Sequence, residues 1–157
     1  MKHISLNTTL LLLAFTLFFA SCKKTGLNEE PHSTFSFMAG NTLYTYNGIL
    51  NDKQGAIVYM PMVTGEVVLK GQNTDLSYLR AVMYTSTLSV GSYTASAECH
   101  LNTNNYQSQG NFTVTIISYS DGLVSGIFSG EVYEPGATAP LLITNGNFHD
   151  LKIEYTL

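Results

Sequence analysis

The segment His149-Asp150-Leu151-Lys152-Ile153-Glu154-Tyr155 puts Leu151, Ile153 and Tyr155, followed by Leu157, on one side of an extended chain. Asp150, Lys152, Glu154 and Thr156 fall on the other side. Strict alternation of this kind belongs to a β-strand with one buried face and one wet face. Just upstream, Asn145-Gly146 lies between Leu142-Ile143-Thr144 and Asn147-Phe148. Asn-Gly accepts positive φ at both central positions of a two-residue loop, so the pair predicts a type I′ hairpin turn.

The same reading extends toward the N-terminus. In Gly122–Tyr133 (GLVSGIFSGEVY), Val124, Phe128 and Val132 share a face with Gly126 and Gly130 between them. Inward glycines leave room for a neighbouring aromatic ring or a bend. Phe112–Tyr119 places Phe112, Val114 and Ile116 on one face, and Ser120-Asp121-Gly122 joins the two runs as a hairpin. Shorter strand candidates are Phe35–Met38, Leu43–Tyr46, Ile57–Met60, Val67–Leu69 and Ser92–Ala95. Leu76–Met83 could be helix by composition, but Tyr84-Thr85 favours strand. Asn47-Gly48, Gly91 and Pro135-Gly136 read as turns or breaks. From Thr34 onward no long helical period occurs, so residues 34–157 are expected to form a single all-β domain, an antiparallel β-sandwich with a small β-barrel as the alternative.

The N-terminus reads differently. Met1-Lys2-His3 precedes an apolar run, Leu10–Ala20 (LLLLAFTLFFA). Eleven residues are too few for a bilayer of about 30 Å and match the apolar region of a secretory signal peptide. The run closes on Phe19-Ala20-Ser21-Cys22. This resembles the lipobox of bacterial lipoproteins, with Phe19 where Leu is usual. The resemblance implies a signal peptide over residues 1–21 and lipid on the Cys22 thiol. It also implies membrane attachment in the cell envelope, with the outer membrane as the expected location. Residues 22–33 (the lipidated Cys and KKTGLNEEPHS) are polar with Gly and Pro, and predict a flexible tether. A second resemblance covers roughly Val90–Ile153. Val90-Gly91-Ser92-Tyr93, Ser125–Gly130 and Ile143–Phe148 are similar to an xGxY strand start, an SGxFSG strand and an ITNGxF hairpin of small uncharacterised lipoproteins from the Bacteroidetes. It implies a β-rich envelope domain and carries no activity with it.

Composition narrows the function. The chain of 157 residues has 7 Lys+Arg against 11 Asp+Glu, a net charge of −4. Nucleic acid requires a basic face, so it is excluded as a partner class. Lipid on Cys22 leaves Cys99 without an internal disulfide partner.

Catalytic and metal chemistry finds weak footing. Glu98 and His100 share a strand face while Cys99 points away, so Cys99-His100 cannot work as a nucleophile–base pair. A metal would need a third ligand such as His149 or Asp150. Glu131 and Glu134 flank a turn and read as surface acids rather than a glycosidase pair. The loops Asn47/Asn51/Asp52 and Asn102/Asn104/Asn105 hold one carboxylate between them, too few for calcium. The expectation is therefore a protein without enzyme activity, metal or cofactor. Ten tyrosines are the strongest functional hint, and Tyr44 and Tyr46 share a strand face that could stack on sugar rings. The expected role is ligand binding, of a glycan or another molecule. Accessory or assembly subunit of an outer-membrane protein complex is the first alternative, and envelope hydrolase the second.

Overall fold

A computed structural model describes residues 33–48, 55–61 and 65–156. The signal peptide, Cys22, the tether up to His32, and Asn51 and Asp52 lie outside the described residues. The described residues belong to one compact unit.

The described residues contain ten strands and no helix, as the alternating pattern requires. They are β1 (Thr34–Ala39), β2 (Thr42–Asn47), β3 (Gly55–Pro61), β4 (Val67–Gln72), β5 (Tyr78–Met83), β6 (Gly91–Leu101), β7 (Asn104–Gln107), β8 (Phe112–Ser120), β9 (Leu123–Val132) and β10 (Leu141–Thr156). Seven of them, β10-β3-β4-β5-β6-β8-β9, pair in a ring that returns to β10. The domain is thus a closed barrel and not a sandwich. All ring pairings are antiparallel except β10–β3.

Closure comes from two long strands that change partner along their length. β10 pairs with β1 over Ile143–His149 and then with β3 over Ile153–Thr156, while β9 follows its opposite edge. β6 pairs with β8 over Gly91–Thr94 and with β7 over Glu98–Leu101, while β5 takes its other edge. Bulges bend β10 where Asn145 and Asp150 adopt φ of 51°. A bulge adds local twist and curls a sheet toward closure.

Asn145-Gly146 is therefore not a hairpin. The chain runs straight through it inside β10, because β1 and β9 already pair with both flanks. The two-residue hairpin expected from such a dipeptide occurs at Asp121-Gly122, with φ of 54° and 75°, between Ser120 and its partner Leu123. Leu76–Met83 resolves as strand β5 preceded by a turn at Leu76, and Gly91 opens β6 rather than making a turn.

The barrel is filled by aromatic rings laid over glycines. Phe128 stacks on Phe35 at 4.9 Å between centroids, with Phe37, Phe112 and Phe148 at 6.0, 6.1 and 6.4 Å. Three of these phenylalanines stand directly opposite inward glycines: Phe148 on Gly126, Phe112 on Gly130 and Phe128 on Gly146. A methyl group at Gly146 would strike the Phe128 carbonyl and ring. Gly146→Ala is expected to destabilise the domain by about 1–3 kcal/mol or more, since the obstruction is partly backbone. A denaturant titration with an unchanged midpoint would contradict this packing.

Two further features frame the surface. Ser33 is buried and donates its hydroxyl to the Asp150 carbonyl at 2.8 Å, which ties the start of β1 to the second bulge. Ile57, Val68 and Val82 alternate to the outside of the barrel and yet are buried, so β3–β5 are covered on both faces there. On the same face the Tyr59 hydroxyl reaches across β4 to accept a hydrogen bond from Arg80 Nε at 3.4 Å.

Candidate functional site

Tyr44 and Tyr46 face the barrel interior. Tyr46 is 2% exposed, its ring 5.7 Å from Phe35 and 6.1 Å from Phe37. It lies against Gly71, where a Cβ would come within 2.6 Å of the ring. Tyr44 is half-buried and stacks on Phe37 at 5.2 Å with 13° between planes. The pair read as a sugar platform is thus built into the core wall. Alternation put both tyrosines on one face correctly, but the large apolar part of each ring went to the inner side. Among the described residues the Tyr46 hydroxyl makes no hydrogen bond, and burial, offset in part by the Ser77 hydroxyl, pushes its pKa up to about 12.

The other expected constellations are taken up by local structure. Glu131 accepts from Asn111 and Tyr133, and those bonds, Asn111 first, hold its carboxyl below the usual range. Glu134 accepts from Asn104 at 2.5 Å. Asn102 has φ of 58° and begins the two-residue loop between β6 and β7. His149 pairs with Asp150 at 3.1 Å. Among the described residues, no three His, Cys, Asp or Glu side chains converge on one point. Cys99 faces inward and is 1% exposed, and burial, with a smaller push from the Glu98 charge, raises its thiol to about 12.

Chemistry gathers instead on the outer face of β4–β7. Each strand contributes two alternate outward residues: Lys70 and Gln72, Tyr78 and Arg80, Glu98 and His100, Asn105 and Gln107. Register aligns them in two rows. Lys70, Arg80, Glu98 and Gln107 stand opposite one another in turn. Gln72, Tyr78, His100 and Asn105 form the second row.

Within the rows, Arg80 Nη1 lies 3.5 Å from Glu98 Oε1. Partial burial works against the Arg80 charge, but the Tyr59 hydroxyl and Glu98 outweigh it, so the guanidinium pKa is raised. The Lys70 ammonium sits 5.9 Å from the centre of the Tyr78 ring, and Tyr78 stacks with His100 at 6.2 Å. His100 Nδ1 and Asn105 Oδ1 are 2.8 Å apart. Partial burial, then the Glu98 charge, raise the Tyr78 hydroxyl above its ordinary pKa, so it stays a neutral donor.

Where β7 leaves β6, a recess of about 160 Å³ opens between Arg80, Ser96, Ala97, Glu98, Gln107 and Ser108. Its rim is fixed by the Ser108 hydroxyl, which accepts from the Ala97 amide at 2.7 Å. Guanidinium, carboxylate and amide groups offer paired donors and acceptors in planes, and aromatic rings offer an apolar face. Such a set suits a polyhydroxylated ligand. The cross-strand neighbours of Glu98 are Arg80 and Gln107, and Arg80 engages its carboxylate.

Each outward pair is visible in the sequence as residues i and i+2. The strand β7 has the polar sequence NNYQ, which the sequence alone presents as loop, and without it the rows lose their last members.

No protein-family model, curated protein or solved structure matches the chain.

Proposed function

We propose that the protein is a lipid-anchored lipoprotein of the cell envelope whose barrel binds a ligand, a glycan in first place, without catalysis. The anchor rests on the lipobox-like Phe19-Ala20-Ser21-Cys22 behind its apolar run. The observation that carries the binding role is the pair of polar and aromatic rows on β4–β7 beside a small recess. An acidic domain gains nothing from anionic headgroups, so the lipid would supply the attachment, and several acyl chains suffice for stable anchoring. The ligand would meet the outer sheet face through Tyr78, Arg80, Glu98 and Gln107. Tyr44 and Tyr46 would support that wall from within.

Two measurements test the reading. Mass spectrometry of protein extracted from membranes should find an N-terminal peptide beginning at an acylated Cys22. Cys22→Ser should abolish both the acylation and the cleavage. A glycan array probed with the same protein should give binding that Tyr78→Ala weakens about tenfold, in line with the loss of one aromatic contact of about 1 kcal/mol or slightly more. An unacylated, uncleaved chain removes the anchor. Absence of any Tyr78-dependent ligand removes the binding role, and a stoichiometric membrane protein captured by cross-linking would then favour the accessory-subunit reading.

A further inference from the structure

The described residues hold three cations, Lys70, Arg80 and Lys152, against eight carboxylates. Two of the three, Lys70 and Arg80, stand directly opposite each other across β4 and β5. Like charges in that position repel and weaken a sheet. An acidic domain has no electrostatic reason to spend its scarce cations on such a pair. Of these two, Arg80 alone has a carboxylate among the described residues, Glu98, and at 3.5 Å the contact is long. Lys70 makes no ion pair among the described residues and rests near the Tyr78 ring.

We propose that Lys70 and Arg80 together receive a carboxylate carried by a sugar ring, so that the ligand of this face is a uronate-bearing glycan. This deepens the binding role proposed above and rests on it. An anion between the two cations turns a repulsive pair into a charge-assisted clamp, in which Arg80, its Nε given to Tyr59 and its Nη1 to Glu98, offers Nη2 beside the Lys70 ammonium. Gln107 and Glu98 line the adjoining recess and are placed to meet ring hydroxyls. Tyr78 supplies apolar surface beside the clamp. A phosphate would fit the cations equally well. A sugar carboxylate is favoured because the surrounding side chains are hydroxyl, amide and aromatic groups rather than further cations.

The test uses the mature protein in detergent micelles and four uronate polymers, polygalacturonate, alginate, hyaluronan and a glucuronan. Each is paired with its carboxyl-reduced, neutral derivative. At least one acidic polymer should bind ten times more tightly than its neutral form, and the difference should shrink as salt rises. Lys70→Gln and Arg80→Gln should each remove about tenfold of that preference. Lys70→Gln should at the same time keep or raise the denaturation midpoint, because it relieves the repulsion; a merely structural lysine would lower it. Equal affinity for acidic and reduced polymers overturns the carboxylate inference and leaves the glycan-binding role standing. Binding to neither form of any polymer overturns the carboxylate inference as well, and the array result with Tyr78→Ala then decides the broader role separately. Direct binding of inorganic phosphate at millimolar concentration, lost in Lys70→Gln or Arg80→Gln, with no polymer bound, assigns the clamp to phosphate and overturns the sugar.

Discussion

Phe128→Ala is expected to lower the stability of the domain by about 3–5 kcal/mol, the range for deleting a buried aromatic ring. The upper end is favoured by what surrounds the ring. Phe128 contacts Phe35, Phe37, Phe112 and Phe148, so four other rings lose a neighbour at once. Collapse into the void is obstructed. Gly146, opposite Phe128, has no side chain to move inward, and Phe112 and Phe148 are each seated on their own glycine. A cavity lined by phenyl groups stays dry and can take up a small apolar molecule. Urea titration should therefore show the lower midpoint with little change in slope, and benzene should restore part of the loss. A loss below about 1 kcal/mol would mean that the barrel interior repacks freely, against the account given of its glycines.

The second large effect lies at alkaline pH. Tyr46 and Cys99 are both neutral when protonated, and burial raises them from 10.0 and 9.0 to about 12 in the folded protein. Their contribution is whole below the unfolded values. As pH rises past 9, the unfolded chain gives up protons that the folded one keeps, so stability falls until the folded values are reached near 12. Each pH unit is worth about 1.4 kcal/mol per group, hence about 4 kcal/mol for Cys99 and about 3 kcal/mol for Tyr46 at full expression. Denaturant titrations at pH 8, 10 and 11 should show this decline. Tyr46→Phe should flatten it, and should also stabilise the protein at pH 8, because it removes a buried hydroxyl that has no partner among the described residues. At pH 8 the Cys99 thiol should resist alkylation until the chain unfolds. Rapid modification of Cys99 in the native protein, or a flat profile to pH 11, would contradict the burial of both groups.

Local alternation was legible wherever one residue in two is apolar. It located the strands on either side of Asp121-Gly122, the inward glycines, and Leu151 and Ile153. It could not distinguish a barrel from a sandwich, because both present the same inside–outside pattern to a single strand. What separates them is where β6 and β10 exchange partners, and that depends on cross-strand register. Asn145-Gly146 is ambiguous in sequence for the same reason. The dipeptide can reverse a chain or bulge it, and the strands on both flanks decide which. The Tyr44/Tyr46 pair shows a further limit, since parity says that two residues face together but not which way. The site on β4–β7 was present in the sequence as scattered polar pairs. Only the alignment of Lys70 with Arg80, and of Tyr78 with His100, turns them into a surface.

β10 joins β1, β3 and β9, and Ser33 bonds Asp150 across 117 positions of sequence. No earlier strand can substitute for it, so the ring stays open until β10 has been delivered. A chain that leaves the ribosome, or threads through a membrane pore, from its N-terminal end therefore cannot close prematurely. Its folding is expected to be slow, since distant pairings must form before they reward the loops they close. Under the envelope location proposed above, that delay would keep the polypeptide threadable during export and commit it to its final shape only on the far side.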